Sequence, residues 1–142
     1  MLEISKIRSN TEELIHRLKK RNFNGRELLD KILDLDKKRK STQTELDQVL
    51  SKINTTSKEI GSLFKSGDGE KANRLKATTT SLKEESKQLN DLLSETDEKI
   101  RNILLEIPNA PHESVPTGNT ADNNEIMSQK GNIPDLASNA KP

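Results

Sequence analysis

Two stretches of the chain carry mostly aliphatic or small residues that recur in alternating steps of three and four positions. This spacing places them on one stripe of an α-helix, the seam of a coiled coil. The first seam is Leu28, Ile32, Leu35, Arg39, Thr42, Leu46, Val49, Ile53, Thr56, Ile60 and Leu63. The second seam is Ala72, Leu75, Thr79, Leu82, Ser86, Leu89, Leu93, Thr96, Ile100, Ile103 and Ile107. Helices of about 40 residues would each be on the order of 60 Å long.

The two seams mirror one another. In an antiparallel hairpin the position numbers of facing residues add to a constant, and here every pair adds to 135. Ile53 then faces Leu82, and Leu46 faces Leu89. Between the seams, residues 65–69 contain two glycines and an aspartate, a composition suited to ending one helix and starting the next. The sequence therefore predicts one antiparallel hairpin rather than two independent helices.

A shorter amphipathic segment precedes the hairpin. Leu14, Ile15 and Leu18 fall on one helical face. Three pairs of residues have the spacing of a helix cap: Ser9 with Glu12 or Asn10 with Glu13 for this segment, and Asn24 with Glu27 for the next helix. The open end of the hairpin is more apolar than its two seams require, so we expect the short helix to pack there.

The amino-acid composition favours a narrow apolar interface between helices over a thick globular core. Only 29% of the 142 residues are hydrophobic and 1% are aromatic, while 33% are charged. The predicted fold class is all-α: a long antiparallel two-helix coiled-coil hairpin, a short N-terminal helix packed at its base, and an extended C-terminal tail. The predicted helical arm covers 1–107, with a short helix at about 10–21 and long helices at about 25–65 and 69–107. Residues 108–142, rich in proline and polar side chains, are predicted to form an extended linker.

The sequence contains no pattern typical of a catalytic or metal site. Cysteine is absent, and the two histidines, His16 and His112, belong to no ligand or triad pattern. No apolar run approaches the roughly 18 residues of a membrane span, and the opening residues lack a signal-peptide pattern. We therefore expect a cytoplasmic chain with no membrane partner, no metal site and no catalytic residues.

One edge of the hairpin has the composition of a nucleic-acid contact. With a net charge of +1, any basic surface must be local. The edge of the second helix carries Asn73, Lys76, Thr80, Lys83, Lys87 and Asn90, and the same edge of the first offers Asn54, Ser57 and Phe64. Such side chains suit phosphate and sugar oxygens better than base edges. The candidate contacts are Lys76, Lys83, Lys87, Asn54, Ser57 and Asn73. An ordinary solvated flank remains the alternative, and the basic run 37–40 is a second candidate.

Several segments resemble the N-terminal tRNA-binding arm of bacterial seryl-tRNA synthetases. They are residues 1–8, 18–21, 33–39 and 57–61. The most specific similarity is the segment Ile107-Pro108-Asn109-Ala110-Pro111-His112-Glu113-Ser114-Val115-Pro116-Thr117-Gly118 with Asp122-Asn123-Asn124-Glu125-Ile126, which is similar to the family's junction between arm and catalytic domain.

The resemblance implies a parent enzyme that activates serine with ATP and Mg²⁺ on a class II catalytic domain and acts as a homodimer. Its arm would hold the long variable arm of serine tRNA, with selenocysteine tRNA as a further candidate and no DNA partner. The sequence ends at Pro142, before any class II motif, so we expect this fragment to be inactive alone and to hold no cofactor. The competing interpretation is a structural or protein-docking hairpin without an RNA role.

Overall fold

The helices follow the two predicted seams. The computed structural model describes residues 2–131, and in that range all regular secondary structure is helical. The elements are α1 (Ile4–Ser9), α2 (Thr11–Lys19), α3 (Arg26–Lys65), α4 (Gly69–Glu106) and a 3₁₀ turn (Ala121–Asn123). The predicted all-α hairpin is confirmed.

Along the hairpin, α3 and α4 pack against each other through the seams. Every predicted seam residue is buried or half-buried, while the positions between them are mostly exposed. One bond joins the helices directly: Arg39 donates from Nη1 to Oδ1 of Asp97 at 3.4 Å. These position numbers add to 136, which agrees with the predicted register.

Polar seam residues satisfy their hydroxyl groups within their own helix. Thr79 and Thr96 are buried, and they donate to the carbonyl oxygens of Leu75 and Leu92 at 2.9 Å and 2.7 Å. A buried hydroxyl without a partner would destabilise the seam. These local bonds let the seam include threonine without a polar partner on the facing helix.

The turn between the long helices uses one glycine for its backbone shape. Gly67 has φ +82°, a conformation that costs glycine little. The amide of Asp68 donates to the carbonyl of Leu63 at 3.0 Å, closing the end of α3. The Asp68 carboxylate then accepts from the amide of Lys71 at 3.3 Å and caps the start of α4.

At the open end, which we call the base, the N-terminal helices complete a small core. Its buried members are Ile7, Leu14, Ile15, Leu18, Leu29, Ile32, Ile100, Leu104 and Ile107. The part of the hairpin beyond residues 40 and 96, as far as the turn, we call the shaft. Among residues 2–131, α3 and α4 pack only against each other along the shaft.

The N-terminal segment differs from its prediction in one respect. The sequence predicts one short helix, whereas the structure has two, which meet at Asn10 with φ −136° and ψ 39°. Neither capping box forms. Asn10 instead donates from Nδ2 to the Glu13 carboxylate at 3.1 Å. The break turns α1 so that Ile7 can join the core with α2.

Gly25, and not Asn24, is the cap residue of α3. Gly25 is buried, and a Cβ added to it would lie 2.7 Å from Cδ1 of Leu18. A larger residue at position 25 would therefore force the buried Leu18 side chain to shift.

The tail folds back on the end of α2. Arg17 donates to the carbonyl of Pro111 at 2.7 Å, and Arg21 donates to that of Asn109 at 3.2 Å. Lys20 donates to the carbonyl of Val115 at 3.1 Å. Three basic side chains thus hold an extended backbone against the base. Residues 132–142 of the predicted linker lie outside the described residues.

Candidate nucleic-acid interface

The six candidate contact residues are all exposed along one side of the shaft. Each follows a seam residue by one position, and they come from both helices: Asn73, Lys76, Lys83 and Lys87 from α4, Asn54 and Ser57 from α3. A one-position offset from a seam puts a side chain at the border of a helix interface. We call this set the basic edge.

The structure brings three of these residues together around one groove. Ser57, Lys76 and Lys83 line a groove of about 310 Å³ between the long helices. The seam residues Ile60 and Thr79 lie between them, and Thr80 completes the lining. Asn54, Asn73 and Lys87 do not line this groove. They extend the edge along the shaft on either side of it.

The lysines of the basic edge, Lys76, Lys83 and Lys87, have no ion-pair partner in the part of the chain that the structure describes. Some lysines of the same helices are paired at 2.6–2.7 Å: Lys31 with Glu27, Lys71 with Asp68 and Lys99 with Glu95. Others in the described range, such as Lys52 and Lys58, are unpaired like those of the basic edge. The basic edge is therefore a local positive surface on a nearly neutral chain, available to an anionic partner.

An aromatic ring adjoins the groove on the side of the turn. The ammonium of Lys76 lies 4.5 Å from the centroid of the Phe64 ring. The position of Phe64 on this edge was predicted from the sequence, but its pairing with Lys76 was not. The pairing depends on the side-chain conformations of both residues, which the seam spacing does not determine.

Two residues of the second basic candidate, the run 37–40, form ion pairs with Asp36 at the base. Asp36 has a side chain only 3% exposed, and Arg8 donates to it at 2.7 Å. Arg39 also donates to Asp36, at 2.9 Å, and Lys40 lies 3.6 Å from it. Together with the bond from Arg39 to Asp97, these contacts form the Asp36 network, which joins α1, α3 and α4. Only Lys37 and Lys38 of the run are left exposed without such a contact.

The Asp36 carboxylate has a perturbed pKa. Burial by itself raises the pKa, but hydrogen bonds from Arg8 and Arg39 outweigh burial and hold the pKa below its ordinary value. Asp36 is thus an anion that the folded base requires. The sequence does not reveal the role of Asp36, because its bonded partner outside α3, Arg8, is 28 positions away.

The two histidines, the remaining candidates for catalysis or metal binding, lie in separate parts of the chain. His16 is exposed on α2, and His112 lies in the tail with its Nδ1 2.9 Å from Oγ of Ser114. Among residues 2–131, no three histidine or acidic side chains gather where they could hold a metal ion. No helix in the same range combines the length and the apolar character needed to cross a membrane.

The seryl-tRNA synthetase N-terminal domain matches residues 1–111 of this chain. The chain belongs to this family. Among curated relatives, the serine–tRNA ligase of Carboxydothermus hydrogenoformans is 42% identical over 124 residues, which are 87% of this chain and 28% of that protein. The serine–tRNA ligase of Pelodictyon phaeoclathratiforme is 36% identical over 135 residues, covering 94% of this chain and 31% of the relative. The chain therefore spans less than a third of these family members.

Solved structures of the family share this architecture. The crystal structure of seryl-tRNA synthetase from Pyrococcus horikoshii, complexed with ATP, superposes with a TM-score of 0.74 and 31% identity. The match covers 83% of this chain and 26% of that one. The cytoplasmic serine–tRNA ligase of Naegleria fowleri, in complex with AMP, gives a TM-score of 0.72 at 24% identity, over 98% of this chain and 37% of that one, and so shows a shared fold.

Proposed function

We propose that this chain is the tRNA-binding arm of a serine–tRNA ligase and that its basic edge grips the long variable arm of serine tRNA. The observation that carries the proposal is the row of three lysines, without carboxylate partners among residues 2–131, beside a groove on the shaft. Family membership supplies the partner class, and the row of lysines supplies the surface.

The chemistry of the edge suits backbone contacts. From Lys76 to Lys87 the edge spans on the order of 16 Å at 1.5 Å per residue, a length over which several phosphates can be contacted. A double-stranded RNA arm hides its base edges in a deep, narrow groove and exposes phosphates and 2′-hydroxyls. Lysine ammonium groups and the polar side chains of Asn54, Ser57 and Asn73 can bind those oxygens. Recognition would then depend on the shape of the arm and not on its sequence.

The wider proposals concern the parent enzyme. It would attach serine to tRNA using ATP and Mg²⁺, act as a homodimer in the cytoplasm, and accept selenocysteine tRNA as a second long-armed partner. No residue of the described chain is given a catalytic role, and the arm contributes by holding and orienting the tRNA. The competing function is a structural or protein-docking hairpin.

The decisive experiment replaces Lys76, Lys83 and Lys87 together by Glu. We expect weaker binding of serine tRNA in gel-shift titrations. The slope of log affinity against log salt should also flatten by roughly one for each phosphate that the variant no longer binds. The matched control replaces Lys52, Lys58 and Lys65 by Glu. That variant makes the same charge change on α3 of the shaft, at positions off the basic edge.

The two functions give opposite results. A tRNA-binding arm prefers serine tRNA over a tRNA without a long variable arm, and the triple variant at the basic edge loses more affinity than its control. A structural hairpin shows no preference between the two RNAs. Equal losses in both triple variants would indicate a nonspecific charge effect. If Glu at Lys37, Lys38 and Lys40 abolished binding while the basic-edge variant did not, the contact surface would lie near the base.

A further inference from the structure

Two large apolar side chains of the shaft are exposed on the same side of the hairpin as the basic edge. Phe64 is 46% exposed and Leu50 is 42% exposed. Each follows a seam residue by one position, as Lys76 and Lys83 do. The other phenylalanine of the chain, Phe23, packs against the core of the base. Phe64 is thus an aromatic ring placed in water on the surface that carries the unpaired lysines.

The ring continues the groove toward the turn. Lys76 lines the groove with Ser57 and Lys83, and its ammonium also lies 4.5 Å from the centroid of the Phe64 ring. A cation over an exposed ring is held weakly, because water competes for the charge. The ammonium can therefore leave the ring for a phosphate when RNA approaches.

We propose that Phe64 is a stacking platform for one unpaired base of the bound RNA, next to the phosphate contacts of the basic edge. This inference rests on the proposed function and adds a second kind of contact to it. Bases inside an A-form helix are stacked on one another, whereas an unpaired base in a loop or bulge offers its face to an aromatic side chain. Such stacking tolerates any base and needs no counterion release.

The test separates stacking from charge by their salt dependence. Serine tRNA is titrated with the 142-residue chain and its variants over a series of salt concentrations. Phe64→Ala should lower affinity by roughly tenfold at every concentration, without changing the salt slope. Phe64→Trp should retain binding, and Phe64→Leu should behave like Phe64→Ala. The matched control is Leu50→Ala, which removes a similarly exposed apolar side chain on the same side of the shaft. Leu50 is not a member of the basic edge and does not line the groove, so this variant should bind like the parent chain.

The outcomes also distinguish this inference from the proposed function. If Phe64→Ala binds normally while the triple lysine variant binds more weakly, the stacking proposal is wrong, and the proposal that the lysines bind the RNA is supported. If neither affects binding, both are wrong. A flattened salt slope in Phe64→Ala would mean that the ring only positions Lys76, which contradicts stacking. Normal binding by Phe64→Leu, or an equal loss in Leu50→Ala, would mean a general apolar contact and would also overturn the platform. Circular dichroism of each variant checks that the helices are retained.

Discussion

The base and the shaft are built from the same two helices but are stabilised differently. At the base, α1 and α2 cover the hairpin, and residues such as Ile32 and Leu29 are completely buried. Along the shaft, Leu46, Val49 and Ala72 are buried, but most seam residues, such as Ile53 and Leu82, are only half-buried, because a two-helix interface leaves its sides open to water. The base also contains the Asp36 network, whereas most hydrogen bonds of shaft side chains stay within one helix. Stability is concentrated where the core has a third layer, and the shaft is free to present a surface.

The largest difference should appear when matched core residues are truncated. Ile32→Ala at the base should cost about 2–5 kcal/mol, because it leaves a cavity in a closed core. Ile53→Ala in the shaft should cost roughly half as much, since less of its surface leaves water on folding. Urea unfolding followed by circular dichroism measures both. Equal losses would mean that the shaft seam is as well packed as the base.

The Asp36 network makes part of the stability of the base depend on pH. Asp36→Asn should cost about 1–3 kcal/mol at neutral pH, less than for a fully buried ion pair, because Arg8 and Arg39 keep part of their surface in water.

The sign of the pH effect follows from the lowered pKa of Asp36. The carboxylate contributes stability above its unfolded pKa, about 3.9, and that contribution is lost as pH falls through the lower folded pKa. The stability difference between the parent chain and Asp36→Asn should therefore shrink in acid. A difference independent of pH would show that packing, and not charge, explains the loss.

Replacing two glycines of the hairpin by alanine should change the free energy of unfolding in opposite directions. Gly25→Ala should destabilise the base by about 1–3 kcal/mol, because the new methyl group meets Leu18. Gly61 lies inside α3 of the shaft, and nothing lies within 4 Å of its added Cβ. Gly61→Ala should stabilise the chain by about 0.5–1 kcal/mol through higher helix propensity. Thermal unfolding of both variants measures the contrast, and a destabilised Gly61→Ala would contradict the open packing of the shaft.

The smallest effect on folding should come from the basic edge. Replacing Lys76, Lys83 and Lys87 by Gln should change the free energy of unfolding by less than about 0.5 kcal/mol, because exposed side chains without ion pairs contribute little. The same substitutions should weaken tRNA binding, in proportion to the charge removed. A large loss of stability would indicate that these lysines serve the fold.

The hairpin can be predicted from local sequence patterns alone. The spacing of the seams, their mirrored register and Gly67 in the turn depend on helical periodicity and local backbone preference, which neighbouring residues encode. The basic edge was predictable for the same reason, because its members sit one position from the seams; its contact with RNA stays a prediction. Three features depend on tertiary packing: the break at Asn10, the contact of position 25 with Leu18, and the docking of the tail on α2.

The Asp36 network and the pairing of Phe64 with Lys76 belong to that second group. Each joins side chains that are distant in sequence, and the contact depends on how whole segments pack and which rotamers then fit. Spacing along the chain carries no information about such a choice. It is made when burial, charge and shape are satisfied together in the folded molecule.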